Sequence, residues 1–111
     1  MIEVTILNYF LANSEVPTFM EEPTEEHGTY RIIEKTGGGQ NDRIYSSTLA
    51  IQSYAPTMAE AAALNEETKA IMLAAEALPD VGRIRLNSDY NYTDTTTQKY
   101  RYQAVYDIVH Y

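Results

Sequence analysis

Hydrophobic and polar residues alternate along four segments of the chain, and this period of two predicts β-strands. The alternating segments are residues 29–35, residues 43–54, residues 81–86 with an extension toward Tyr92, and residues from about 98 to 110. A fifth extended segment, residues 16–20, contains Pro17, which cannot donate a main-chain hydrogen bond and therefore favours the edge of a sheet. The sequence thus predicts a sheet of about four or five strands.

Two other segments repeat their apolar residues with a helical period. Residues 2–12 do so at Ile2, Ile6, Tyr9 and Phe10, which predicts an N-terminal helix. A longer helix is predicted for residues 57–78, because Thr57 and Glu60 have the spacing of a capping box and Pro79 cannot continue the helix. On one side of this helix lie the residues predicted to pack on the sheet: Ala61, Leu64, Thr68, Ile71, Met72, Ala75 and Leu78.

The opposite side of the long helix is unusually apolar for a solvated surface. We call it the outer strip, and it consists of Ala59, Ala62, Glu66, Ala70, Leu73 and Ala77. One interpretation is that the outer strip covers the N-terminal helix within the same copy of the chain. The other is that it forms a contact between subunits, in which alanines permit close approach.

Together these elements predict one α+β domain spanning residues 1–111, with an antiparallel sheet and two helices on one of its faces. In the strand at residues 43–54, Tyr45, Leu49 and Ile51 fall on the face that the helices should cover. Ser46, Thr48 and Gln52 fall on the other face, which we expect to be solvated.

Two connecting segments contain residues that are typical of binding sites in other settings. Residues 36–42 include three consecutive glycines, but a phosphate-binding loop needs a Gly-Lys-Ser/Thr ending and a following helix, so we predict a flexible hairpin turn. Residues 21–28 are acidic and lack the spacing of a calcium loop, so we predict a solvated loop. Its carboxylates are Glu21, Glu22, Glu25 and Glu26. Neither His27 nor His110 lies in a known nucleophile motif, so neither is a predicted catalytic residue.

Charge and composition narrow the function classes further. Sixteen acidic residues face eight basic ones, a net charge of −8 that opposes binding to nucleic-acid phosphates, so we expect no specific nucleic-acid binding. The chain has no cysteine, which excludes disulfides and thiol chemistry. No apolar run approaches the length of a membrane span and the start lacks a basic region, so we expect neither a membrane segment nor a signal peptide.

The order of these elements resembles the tail terminator proteins of long-tailed bacteriophages and the related neck and tail-completion proteins. The resemblance rests on the N-terminal helix, a variable loop after it and four further segments. These are residues 30–38 (YRIIEKTGG), residues 49–55 (LAIQSYA), residues 57–61 (TMAEA) and residues 100–106 (YRYQAVY). It implies a structural protein without enzymatic activity or cofactor. Such a protein forms a ring, usually of six copies, that caps the head-proximal end of the tail tube.

The resemblance also implies partners and a place in the particle. The partners are further copies of the chain, the tail tube protein and the head connector protein, in a virion tail or neck assembled in the host cytoplasm. Another head–tail joining, neck or minor capsid protein is the alternative within this class, and a small intracellular enzyme or ligand-binding domain is the alternative outside it. Our candidate contact residues are the acidic loop, the outer-strip residues Ala59, Ala62, Ala70, Leu73 and Ala77, and the glycine segment Gly37, Gly38, Gly39, Gln40, Asn41, Asp42 and Arg43.

Overall fold

The fold places two helices on one face of a five-stranded sheet, which confirms the α+β prediction. The structure is a computed structural model that describes residues 1–25, 28–97 and 99–111. Its elements are α1 (Ile2–Asn13), β1 (Thr18–Phe19), β2 (Tyr30–Asn41), β3 (Ile44–Ala55), α2 (Met58–Ala75), β4 (Val81–Asn91) and β5 (Tyr100–His110).

The strands lie in the order β1-β2-β3-β5-β4, and the sheet is mixed, whereas the sequence predicted a purely antiparallel one. The short strand β1 runs parallel to β2, with Thr18 beside Arg31 and Phe19 beside Ile32. All other neighbouring strands are antiparallel. The difference arises because the connection after β1 returns the chain to the end of the sheet at which β1 began, so β2 repeats its direction. The prediction that residues 16–20 supply an edge strand is confirmed.

The glycine segment belongs to a strand, so the prediction of a flexible turn over residues 36–42 is wrong. Gly37, Gly38 and Gly39 pair with Thr48, Ser47 and Ser46 of β3. The turn itself is Asp42 and Arg43, both with positive φ (50° and 67°), as in a tight two-residue hairpin. The segment can be a strand because strand pairing uses main-chain hydrogen bonds, which glycine forms as well as any other residue. Its pairing with β3 is interrupted once, by a bulge at Thr36.

Helix α2 begins as predicted and ends earlier than predicted. The Thr57 hydroxyl accepts a hydrogen bond from the Glu60 N–H (3.2 Å), which confirms the cap. The regular helix stops at Ala75, three residues before Leu78. Beyond it, the N–H groups of residues 76–78 bond to carbonyls three residues earlier, a tighter turn that is common at helix ends.

The core lies between the helices and one face of the sheet. Both helices contribute buried residues: Ile2, Ile6 and Phe10 from α1, and Ala61, Leu64, Thr68, Met72 and Ala75 from α2. The sheet contributes Ile33, Leu49, Ile51, Ala104, Tyr106 and Ile108. This confirms the predicted packing side of α2, on which Ile71 and Leu78 are half-buried. The helices run in opposite directions, since Ser14 after α1 contacts Glu67 while Ile2 shares a groove with Asp80.

The other face of the sheet is less exposed to solvent than predicted. Tyr30, Ile32 and Tyr54 form a second buried cluster there with Phe19 packed against it, and the rings of Tyr30 and Tyr54 stack with centroids 4.5 Å apart. The expectation of a solvated face holds at Ser46 and is wrong at Gln52, which is buried. Gln52 can be buried because its side chain donates to Gln103 Oε1 (2.9 Å) and accepts from the Tyr54 hydroxyl (3.0 Å).

Candidate functional site

The outer strip of α2 is largely uncovered. Ala59, Ala70, Leu73 and Ala77 are exposed and Ala62 is half-buried, and the side chain of Leu73 stands out because 75% of its surface is accessible. The groove between the two helices, about 260 Å³ in volume, is bordered by only one outer-strip residue, Ala70, in the part of the chain that the structure describes. The interpretation that the outer strip covers α1 within one copy is therefore wrong.

A second exposed leucine lies near the same side of α2. Lys69 Nζ of α2 contacts Asp89 Oδ1 of β4 (3.4 Å), and Glu76 Oε2 of α2 accepts the N–H of Ile84 in β4 (2.9 Å). Leu73 on the helix and Leu86 on the strand lie between these two contacts, and Leu86 is 43% exposed. Both leucines consequently face solvent where α2 meets β4. We call this region the β4 margin.

The glycine segment is exposed along its whole length and lies at an open edge of the sheet. Every residue from 34 to 43 is exposed. Strand β1 pairs only with Arg31 and Ile32. Among the described residues, no strand pairs with the outer side of β2 beyond that point. The candidate residues Gly37 to Arg43 thus present main-chain groups, and at Gly39 an added Cβ would have no heavy atom within 4 Å.

The acidic loop is exposed as predicted at Glu21, Glu22 and Glu25, whereas Glu26 and His27 lie outside the described residues. Glu22 accepts hydrogen bonds from the Tyr30 hydroxyl (2.7 Å) and from Lys99 Nζ (3.2 Å). Partial burial tends to raise the pKa of Glu22, but these two hydrogen bonds outweigh it and hold the pKa below its usual value. Glu22 therefore fastens the loop to the sheet as an ionised group.

A buried arginine that the sequence patterns did not predict joins three elements, β2, α1 and α2. Arg31 of β2 is fully buried. Its Nε donates to Thr68 Oγ1 on α2 (2.7 Å), its Nη1 donates to Ser14 Oγ (3.0 Å), and its Nη2 lies 3.1 Å from Glu67 Oε1. The guanidinium also lies over the Phe10 ring, 5.0 Å from its centroid. Arg31 could have been found from its spacing, because it alternates with Ile33 on the side of β2 that faces the helices.

Strands β3 and β5 also bring together a serine and a histidine that lie far apart in the sequence. Ser47 Oγ and His110 Nε2 are 2.7 Å apart, both residues are buried, and the Tyr45 ring stacks on the imidazole with centroids 5.3 Å apart. Burial lowers the pKa of His110, and the positive charge of Lys35 lowers it further. A nucleophilic Ser-His pair needs an accessible hydroxyl, but Ser47 is only 4% exposed. We therefore interpret the pair as a buried hydrogen bond that links β3 to β5.

The face of the sheet away from the helices carries an aromatic and polar belt. Arg101 Nη1 donates to the Tyr54 hydroxyl (2.9 Å), and its guanidinium lies 4.5 Å from the ring centroid of Tyr92. Gln103 Nε2 donates to the hydroxyl of Tyr90 (2.5 Å). Tyr90 and Tyr92 remain 41% and 44% exposed. The belt orders the ends of β4 and β5 and leaves two tyrosine rings at the surface.

No known protein-family model matches the chain, and no curated protein shows significant sequence similarity to it. Among the described residues, no group of three or more His, Asp or Glu side chains is placed to hold a metal ion. Likewise, no helix in the described ranges is both long and apolar enough to cross a membrane. The exposed surfaces described above are the outer strip, the β4 margin and the open edge of β2.

Proposed function

We propose that this chain is a structural protein of a long-tailed bacteriophage or prophage. In this proposal, copies of the chain form a ring, of six members on the tail, at the head-proximal end of the tail tube. The ring stops polymerisation of the tube protein and offers the head connector a docking surface. The support is the resemblance in the order of elements together with a surface suited to self-association.

The observation that carries the proposal is the exposure of the outer strip and the β4 margin. A solvated helix normally has a polar outer side, whereas α2 exposes alanines and Leu73 there. Leu86 adds a second exposed aliphatic side chain beside it. Apolar residues grouped at one side of a monomer mark interaction sites more often than scattered ones do. Alanine, with its small side chain, also lets another surface come close to the helix.

The charge of the chain is consistent with a ring through which DNA passes. The net charge is −8, and the sequence carries twice as many acidic as basic residues. A ring with negative potential repels the phosphates of DNA and so does not retain it. In this proposal the net negative charge lets DNA pass through the central channel of the ring without binding, and the ring acts through protein contacts alone.

Electron microscopy of tail tubes mixed with the purified chain tests this function. We expect a ring at one end of each tube, and tubes of a constant length when tube protein polymerises in the presence of the chain. A ring that binds the connector but leaves tube growth unchanged would instead indicate a neck or other head–tail joining protein. A chain that binds neither tube nor connector contradicts the proposal.

A further inference from the structure

A buried histidine lies at the end of the sheet where α1 begins, and we propose that its protonation in mild acid releases the first turn of α1 from the sheet. The histidine is His110, and together with Ser47, Tyr45 and Lys35 it forms what we call the histidine cluster. The proposal concerns contacts within one copy of the chain, so it does not depend on the proposed ring.

The first turn of α1 and the last residue of β5 border the same groove, which has a volume of about 560 Å³. Ile2 of α1 is buried and belongs to the same hydrophobic cluster as Val81 and Ile108. Val81 pairs directly with His110, and Ile108 lies two residues before it on the same face of β5. The first turn of α1 therefore packs next to the imidazole and limits its contact with water.

The surroundings of His110 suit a neutral imidazole. Its Nε2 atom lies 2.7 Å from Ser47 Oγ, and the ring of Tyr45 stacks on it with centroids 5.3 Å apart. Both His110 and Ser47 are buried. Among the described residues, His110 forms no ion pair with a carboxylate. A proton added to the ring consequently creates a buried charge without a direct partner of opposite sign, which is unfavourable.

Lys35 lies near this pair because the residue beside it has no side chain. Gly38 of β2 pairs with Ser47 of β3. A Cβ on Gly38 would lie 3.0 Å from Lys35 Cε and 3.3 Å from Lys35 Nζ. The glycine thus leaves room for the ammonium group beside the strand pair that contains Ser47. This gives one residue of the glycine segment a structural role that composition did not predict.

The charges around the groove act on the imidazole in both directions. Burial disfavours the charged ring most strongly, and the positive charges of Lys35 and of the Met1 amino group add to that effect. The negative charge of Glu3 opposes them only in part, so the pKa of His110 stays below its ordinary value of 6.5. The titratable groups that border the groove are the Met1 amino group, Glu3, Lys35, Tyr45, Asp80 and Tyr111.

Acid favours the open state because the imidazole binds protons more tightly there. With the first turn of α1 lifted, His110 contacts water and titrates near its ordinary pKa of 6.5. Above that pH the ring is neutral in both states. Between 6.5 and the lower pKa of the closed state, the open state binds more protons. The ratio of open to closed molecules therefore rises by up to about tenfold for each pH unit that the pH falls.

The first turn of α1 is the part of this region that is held most weakly. Met1 occupies the N-cap position and makes no side-chain capping hydrogen bond. The turn is closed by the N–H and hydroxyl of Thr5, which both donate to Met1 O (3.2 Å each). The end of β5, in contrast, pairs with a strand on each side, and the N–H of Tyr111 donates to Asp80 O (3.0 Å). Local opening consequently begins at the helix.

NMR tests the proposal in the variant His27→Gln, because His110 is then the only histidine of the chain. We expect its imidazole signals to titrate below pH 6.5. Amide protection factors, which correct for the intrinsic pH dependence of exchange, should fall for residues 5–8 by up to about tenfold per pH unit over the same range. Residues 103–107 of β5 serve as an internal reference and should keep their protection.

Two further variants, each made in the His27→Gln chain, separate the histidine from general effects of acid. His110→Gln keeps a side-chain donor for Ser47 but cannot be protonated, so protection of residues 5–8 should be constant between pH 7 and pH 5. Lys35→Gln removes a positive charge, so the pKa of His110 should rise toward 6.5 and the loss of protection should become smaller. The matched control Glu34→Gln changes a charge on the other face of β2 and should alter neither quantity.

An acid response of the same size with and without His110 overturns the proposal, as does constant protection of residues 5–8 across the titration of His110. If His110→Gln does not fold, the comparison of Lys35→Gln with Glu34→Gln decides the question. An identical titration of His110 and an identical loss of protection in these two variants would then contradict the proposed role of the histidine cluster.

Discussion

Arg31 carries a full positive charge into the core, and the surrounding groups make that burial tolerable. Burial lowers the pKa of its guanidinium, while the hydrogen bond and charge of Glu67 oppose that change. Its Nε and Nη1 donate to Thr68 and Ser14, and its Nη2 lies in ion-pair contact with the Glu67 carboxylate. A buried charge of this kind contributes mainly by fixing one arrangement of the helices on the sheet, because the cost of desolvation offsets much of its attraction.

Arg31→Ala is therefore expected to lower the free energy of unfolding by about 3–5 kcal/mol, since it leaves hydroxyls without a donor and opens a cavity beneath Phe10. Urea denaturation measures this change. The comparison variant Glu67→Gln leaves the buried guanidinium without a countercharge, so it should also lower the free energy of unfolding, by about 1–3 kcal/mol. Equal losses for the two variants would show that the ion pair, and not the burial of Arg31, stabilises this junction.

Two buried tyrosine hydroxyls should make the free energy of unfolding depend on pH in the alkaline range. Burial raises the pKa of Tyr106, with Asp89 and Glu66 adding to the effect, and burial also raises that of Tyr30, assisted by its hydrogen bond to Glu22. In the unfolded chain both titrate near the ordinary value of 10.0. Below that pH both tyrosines are protonated in either state. Above it the unfolded state loses protons first, so the folded state becomes less stable.

We accordingly expect the free energy of unfolding to fall above pH 10 by up to about 1.4 kcal/mol per pH unit for each of the two tyrosines. Tyr106→Phe should reduce that slope. At neutral pH the same variant should be neutral or stabilising by about 1 kcal/mol, because the buried hydroxyl has no hydrogen-bond partner among the described residues. Urea denaturation at several pH values checks both expectations, and an unchanged slope in the variant contradicts them.

At the scale of elements, the β2–β3 hairpin depends on a turn whose second residue is poorly suited to it. Asp42 and Arg43 both adopt positive φ; aspartate adopts this region readily, whereas the longer side chain of arginine is strained there. Arg43→Gly should therefore raise the free energy of unfolding by about 1 kcal/mol, while Arg43→Val should lower it. Thermal unfolding of both variants measures the pair. A glycine variant less stable than the wild-type chain would contradict this turn geometry.

Periodicity predicted most elements of this fold but not all of its contacts. It located α1, α2 and the long strands, because apolar spacing reflects which side of an element is buried. The sequence failed at Gly37 to Gly39, where composition suggested a turn although the facing strand provides a complete ladder. The exposure of the outer strip at Leu73 was left open between two interpretations. Only the position of α1 on the sheet could decide between them.

The buried polar contacts were beyond the reach of sequence patterns for a different reason. The pair of Ser47 and His110 and the network around Arg31 depend on which strands and helices become neighbours in space. Local spacing carries no information about such long-range partners. The parallel placement of β1 has the same origin, because it depends on the path of a connecting loop.

At the scale of the whole molecule, the domain presents one sheet with two open edges and one helix with an apolar outer side. Leu73→Glu should abolish association between copies and leave each copy as stable as the wild-type chain to within about 0.5 kcal/mol, because this side chain is 75% exposed. The control Ala12→Glu adds the same charge at an exposed position of α1. It should leave association intact. Loss of association in both variants would point to a general effect of charge.

The proposed ring requires copies of the chain to associate, and light scattering measures the mass of that assembly, alone and with tail tubes. We expect a single defined species of several copies, six when seated on the tube, whose mass falls to that of one copy in Leu73→Glu. A chain that remains a single copy at every concentration, both alone and in the presence of tubes, contradicts the proposed ring.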